Sequence, residues 1–150
     1  MRVQSRGGVL RSLRFLLAQI LQVAWGLPQT MVGLAICLCT YRRETLRMYR
    51  SSVVVEWRKD AGLSLGMFVF VPHRAHTSLV VHEYGHCLQS LLLGPFYLPF
   101  IVLPSLLWAG IPAFERYRDH RGFSYYRFFT ERWANLLAHA VAKEDPMGWY

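Results

Sequence analysis

Apolar and polar positions divide the chain into blocks of different period. From Phe15 to Cys39 no side chain carries a charge. A run of that length, at about 1.5 Å per helical residue, is long enough to cross a ~30 Å hydrocarbon core. Gln19, Gln22, Gln29 and Thr30 interrupt it. Gly26-Leu27-Pro28 kinks it or splits it into two shorter helices, with Pro28 in the first turn of the second. The run is too long for the apolar core of a secretory signal, and no small-x-small cleavage site follows a short apolar stretch. An uncleaved membrane segment is the expectation, with a buried core helix as the alternative.

From Ser51 the pattern turns to β. Val53-Val54-Val55-Glu56-Trp57 and Leu63 to Val71 flank the turn residues Asp60-Ala61-Gly62 and predict a hairpin that stops at Pro72. Thr77 to Leu93 reads as a helix, capped by Thr77 or Ser78 and ended by Gly94-Pro95. Phe96 to Ile111 is apolar again, but Pro95, Pro99, Pro104 and Pro112 argue against one straight spanning helix. Glu115 to Gly122 reads as a charged loop. Ser124 to Ala142 reads as the last helix, with Asp145-Pro146 closing the ordered part. The predicted fold is mainly α with a small β-hairpin. Residues 1–50 form an N-terminal membrane-anchoring helical segment, and residues 51–150 form a minimal metal-binding domain built on a helix pair, with a proline-broken apolar hairpin.

Composition sharpens this picture. The chain has 150 residues, 53% of them hydrophobic and only 17% charged. That apolar share exceeds the ~45–50% of soluble domains and excludes disorder. Three cysteines are too few for a disulfide scaffold. Cys37, Cys39 and Cys87 read as small apolar fillers. The net charge of +8 comes mostly from arginine, since Lys59 and Lys143 are the only lysines. Arg2, Arg6, Arg11 and Arg14 precede the first apolar run, and Arg42, Arg43, Arg47 and Arg50 follow it. Arginines bordering apolar runs suit lipid headgroups better than a nucleic-acid groove. The lipid bilayer is therefore the expected partner, and nucleic acid is not. The arginines balance at the two ends, so they do not orient the segment.

The chemistry lies in His82-Glu83-Tyr84-Gly85-His86, an H-E-x-x-H on a predicted helix. Residues four apart share a helix face, so both imidazoles reach one cation. Glu83 sits roughly 100° round the helix, where it cannot join them but can reach a water on the metal. Catalytic zinc takes three protein ligands. The last helix offers Glu131 as the third, with Asn135 one turn on to accept the ring N–H of His82 or His86. The bland alternative for Glu131 is a surface carboxylate paired with Arg127 or Arg132. His120, Tyr125 and Tyr126 are candidates to stabilise a developing oxyanion, with aromatic packing as the alternative for the tyrosines. His73 and His76 precede the helix and read as solvated loop residues.

These two motifs resemble those of the gluzincin metallopeptidases, and more nearly the membrane-bound zinc endopeptidases of the CAAX-prenyl-protease and heat-shock-protease type. The pattern there is H-E-x-G-H followed by E-x-x-A-D. Here His82, Glu83, Gly85 and His86 match the first, and Glu131 and Ala134 the second, with Asn135 where the family has Asp. The chain also resembles small bacterial membrane proteins of unassigned activity, through His82 to His86, Gln89-Ser90, Leu93 to Leu98 and Thr130 to Asn135. That second likeness implies a place in a bacterial inner membrane.

The resemblance implies a membrane-associated, zincin-like Zn²⁺ metallopeptidase that hydrolyses peptide bonds of a peptide or protein substrate. Glu83 would be the general base, and His82, His86 and Glu131 the ligands. An edge strand, Val53–Trp57 or Leu63–Val71, would bind extended substrate. The competing expectation is a non-enzymatic small membrane protein with a structural or vestigial metal site that acts by helix packing; the residues identify no protein partner. For Glu131 to meet the histidines, Leu88 to Ile111 should turn back as a hairpin at Gly94-Pro95, because a single crossing would put Glu131 on the far side.

Overall fold

Helix α1 (Leu27–Thr40) begins directly after a break at Trp25-Gly26, and Pro28 lies in its first turn, where a missing N–H costs nothing. The computed structural model describes residues 24–40 and 46–149, together with Leu13, Leu16, Leu17 and Ile20. The rest of the predicted anchoring segment lies outside the described residues. Helix α1 buries Gln29, Thr30, Gly33 and Cys37 and turns Leu27, Met31, Leu34 and Leu38 outward. The polar break at Gln29 has a structural use: its Nε2 donates to Ser90 Oγ at 3.0 Å and to the Gly94 carbonyl at 2.9 Å.

The sheet corrects the predicted hairpin. Four strands, β1 (Leu46–Tyr49), β2 (Ser52–Trp57), β3 (Leu63–Leu65) and β4 (Phe68–Pro72), lie in the order β1-β2-β4-β3. β2 runs parallel to β4, from Val53 opposite Phe68 to Trp57 opposite Pro72. The long run Leu63–Val71 is cut by Gly66, whose φ of +63° makes the tight turn of a β3–β4 hairpin. A second hairpin joins β1 to β2 through Arg50, which also has positive φ. The physical reason is burial on both faces. Phe68 to Val71 are all buried, so β4 needs neighbours on both edges and cover on both sides. Val54, Val69 and Val71 face Val80, Val81, Tyr84 and Cys87 of the next helix. Val55, Trp57, Phe68 and Phe70 face Cys37 of α1, as the two-residue period of a strand requires.

Helix α2 (Thr77–Leu93) has the predicted bounds, but its cap is His76, whose Nδ1 accepts from Ser78 N, rather than Thr77 or Ser78. At its end Gly94 takes φ +56°. A 3-10 turn (Gly94–Phe96) and a π-helical turn (Leu98–Val102) lead into α3 (Leu103–Gly110).

The predicted charged loop is instead helix α4 (Pro112–Arg121). Pro112 opens it and Glu115 sits in its first turn; Arg118, His120 and Arg121 sit in its last, and Gly122 ends it in the left-handed conformation. The last helix, α5 (Phe129–Ala142), starts later than Ser124, after a 3-10 turn at Tyr125–Arg127. Beyond Asp145-Pro146 the described chain still packs on the fold: Met147 N donates to the Ser78 carbonyl at 2.9 Å.

The fold is thus mainly helical around a small four-stranded sheet. Among the described residues, no single helix is long and apolar enough to cross a membrane; the pair Leu98–Gly110 and Pro112–Arg121, bent by 73°, reaches that length and composition together.

Candidate metal centre

Two helices build the centre, and a glycine lets them approach. A Cβ on Gly85 would lie 2.1 Å from the Ala134 carbonyl oxygen, so α2 and α5 cross in near backbone contact there. His82 and His86 on α2 and Glu131 on α5 then face one another, all buried, with ligand atoms within 4.8 Å. Glu131 Oε2 lies 3.1 Å from His82 Nε2 and 3.2 Å from His86 Nε2.

The outer nitrogens decide what the inner ones can do. His82 Nδ1 lies 2.7 Å from Asn135 Oδ1, and His86 Nδ1 lies 2.7 Å from Gln89 Oε1. Neither amide can flip without loss. Gln89 Nε2 donates to the Thr130 carbonyl at 2.8 Å, and Asn135 Nδ2 donates to the Met147 carbonyl at 3.0 Å. Both carbonyl oxygens therefore face the rings, and both rings donate through Nδ1. That leaves two Nε2 lone pairs and a carboxylate oxygen converging on one point. Three acceptors hold together there only around a positive charge, either a proton or a metal ion. A proton serves in the metal-free chain. Burial works against a charged His86, but the Glu131 carboxylate, Glu83 and the Gln89 hydrogen bond together outweigh it and raise the imidazole from 6.5 to about 9. Burial also opposes ionised Glu131, yet His86 and His82 hold it well below the usual carboxylate range. The group of His82, His86 and Glu131 can equally hold a metal ion.

Glu83 is fixed beside this group, buried, with Ser64 Oγ donating to its Oε2 at 2.7 Å. Its Oε1 lies where a Cβ on Gly62 would be, 1.9 Å away, so the carboxylate occupies space that only glycine leaves open. Ser105 Oγ donates to Thr130 Oγ1, which donates to Glu131 Oε1 at 3.1 Å and leaves Oε2 for the centre.

A cavity of about 300 Å³ opens onto His82, Glu83, His86 and Glu131. Its walls are the loop and edge strand Ala61–Ser64 on one side and Ile101, Val102, Leu106 and Ala109 on the other. Of the two candidate strands, β2 is enclosed by β1 and β4, while β3 lies at the sheet edge beside the cavity. The Ser64 carbonyl of β3 accepts from the Tyr97 hydroxyl at 2.8 Å.

Tyr125 and Tyr126 line the cavity, and Tyr126 stands edge-on to His82 with centroids 5.0 Å apart. His120 is not brought to the site: it is exposed on α4 and absent from the cavity wall. His73 pairs with Glu56 at 2.6 Å. Cys37 and Cys87 are buried, but Cys39 is exposed and fills no core. Burial pushes the Cys87 thiol up to about 12, which removes it from nucleophilic chemistry.

Sequence reasoning missed four contributors. Gln89 carried a signal, since it stands three residues after His86 on the same helix. Ser64, Gly62 and Thr130 approach only through tertiary packing.

Comparison with known proteins finds no matching family model, no matching curated protein and no matching solved structure.

Proposed function

We propose that the chain is a gluzincin-like zinc metallopeptidase that works at a lipid surface. The observation that carries this reading is the convergence of two Nε2 lone pairs and Glu131 Oε2, both imidazoles fixed through Nδ1, with a separate carboxylate alongside. Two histidines and one glutamate are a donor set of catalytic zinc, which keeps a position for water or substrate. His82, His86 and Glu131 would hold the ion. Bound zinc would supply Lewis acidity toward a water and a scissile carbonyl.

The chain's own residues do the rest. Ser64 holds Oε2 of Glu83, so Oε1 is the atom that takes the proton from the attacking water and returns it to the leaving amine nitrogen. Tyr125 and Tyr126 stand on the cavity wall, where a hydroxyl can meet a developing oxyanion. The apolar wall Ile101, Val102, Leu106 and Ala109 suits apolar side chains of a peptide substrate.

The test combines metal content with turnover. Purified chain should carry about one zinc, lost in His86→Ala and kept in Glu83→Gln, with both variants losing peptide hydrolysis. Unmodified chain that takes up no zinc would sink the reading.

A further inference from the structure

The segment after α5 reaches the centre by two routes. Lys143 takes φ +59° and reverses the chain at the helix end. Its root is tied down by Arg50, which donates to the Ala142 carbonyl and pairs with Glu144 at 3.1 Å. Met147 N then docks on the Ser78 carbonyl, in the first turn of α2. The Met147 carbonyl accepts from Asn135 Nδ2 at 3.0 Å, and Asn135 Oδ1 faces His82 Nδ1 at 2.7 Å. One residue on, Gly148 has φ +72°, and a Cβ there would lie 2.1 Å from a ring carbon of Tyr126, the ring set edge-on against His82. Trp149 stacks on His139 of α5 at 4.3 Å and 15°.

We propose that residues 143–149 are a strap that sets the ligating tautomer of His82, with the Met147 carbonyl as the positioning group acting through Asn135. The physical step is the amide flip. An asparagine side chain is nearly symmetric in shape, so only its partners fix which end is oxygen. With the Met147 carbonyl in place, the NH₂ end is claimed and the oxygen must face His82. His82 then carries its proton on Nδ1 and offers a lone pair at Nε2. With the carbonyl withdrawn, the NH₂ end can turn to His82 Nδ1. The ring proton then moves to Nε2, where it points at Glu131 and blocks ligation. His86 has no such dependence, because the Thr130 carbonyl of α5 orients Gln89.

The inference rests on the reading of His82 as a metal ligand, and its test separates the two. In the full chain, Gly148→Val forces the strap off Tyr126, and Trp149→Ala loosens it more gently by removing the ring stack. The neutral His82 tautomer is read by ¹⁵N NMR without metal, and affinity by titration with Zn²⁺ alone. Folding is checked by circular dichroism. We expect Gly148→Val to populate the Nε2–H form of His82 and to weaken Zn²⁺ binding about 10- to 100-fold. Asn135→Asp in the same chain should restore both, because a carboxylate presents an acceptor in either orientation. A folded Gly148→Val or Trp149→Ala chain with unchanged tautomer and affinity overturns the proposal. So does a failure of Asn135→Asp to rescue, since the strap would then serve only the fold. Unmodified chain that binds no zinc would refute the metallopeptidase reading, while the metal-free tautomer comparison would still decide the strap.

Discussion

At the residue scale, two glycines two strides from the chemistry separate stability from catalysis. Gly85 faces backbone: a methyl there meets the Ala134 carbonyl, which cannot swing aside. Gly85→Ala should therefore push α2 from α5 and destabilise the fold by about 1–3 kcal/mol, measurable by urea denaturation. The atoms nearest a methyl on Gly62 belong to the Glu83 side chain, its carboxylate first. Gly62→Ala should leave fold and zinc content intact while displacing the Glu83 carboxylate, lowering hydrolysis by about 100-fold or more. Loss of zinc in that variant would contradict the separation of ligand and base.

The titration of His86 gives a sign for pH. In the metal-free chain its ring stays protonated up to about pH 9 because Glu131, Glu83 and Gln89 together outweigh the cost of burial. A metal needs that lone pair, so binding expels the proton below this pH. Apparent zinc affinity should climb about tenfold per pH unit between about pH 6 and 8 and level off near 9. A flat profile from chelator competition would show that the two groups are not coupled.

At the element scale, α2 and α5 were more legible than the sheet, while α4 read as a charged loop. α2 announced itself by the Gly94-Pro95 that ends it, and the i, i+4 histidines came with it. Glu131 and Asn135 were legible for the same reason, being one turn apart on α5. The sheet was not, because a strand run does not say which neighbour it takes. Leu63 to Val71 looked like one strand, and only the positive φ at Gly66 and burial on both faces of β4 make it two. The β1–β2 turn was invisible, since Arg50 is no turn residue by type. Gly66 also meets Thr30 of α1, whose Oγ1 would lie 2.1 Å from an added Cβ. Gly66→Val should open the β3–β4 hairpin and part α1 from the sheet, costing about 1–3 kcal/mol. It should also weaken the hold of Ser64 on Glu83, because β3 carries Ser64. Unchanged thermal stability would argue that the turn is not what divides the run.

At the scale of the whole molecule, the remaining question is what meets its apolar surface. Helix α1 presents Leu27, Met31, Leu34 and Leu38, and the stretch after α2 presents Phe96, Phe100, Leu103 and Leu107. The first set steps by four, three and four residues and so forms one stripe on α1, while the second is exposed along the 3-10, π and α turns after α2. Trp25 packs over Gly94 and Gln29 bonds its carbonyl, which sets the two segments side by side. Neither residues 27–40 nor 92–111 contain a charged side chain, while Arg116 and Arg121 follow on α4 and are exposed. A face without charge and with arginine beyond its end suits acyl chains and anionic headgroups. At about 1.5 Å per residue, α1 measures about 21 Å, short of a ~30 Å core. Ile101, Val102 and the exposed Leu106 of the same stretch line the cavity, which would bring the site to the bilayer surface. The chain should therefore partition onto vesicles of mixed neutral and anionic phospholipid. Phe100→Asp with Leu103→Asp should reduce that partitioning more than tenfold, since a carboxylate deep in lipid costs about 2.5–3.5 kcal/mol. Both side chains are exposed, so thermal stability in detergent-free buffer should hold or rise. Vesicle co-sedimentation that is the same for the double variant and the unmodified chain would remove the lipid surface from the proposed function and leave the metal centre to be tested in solution.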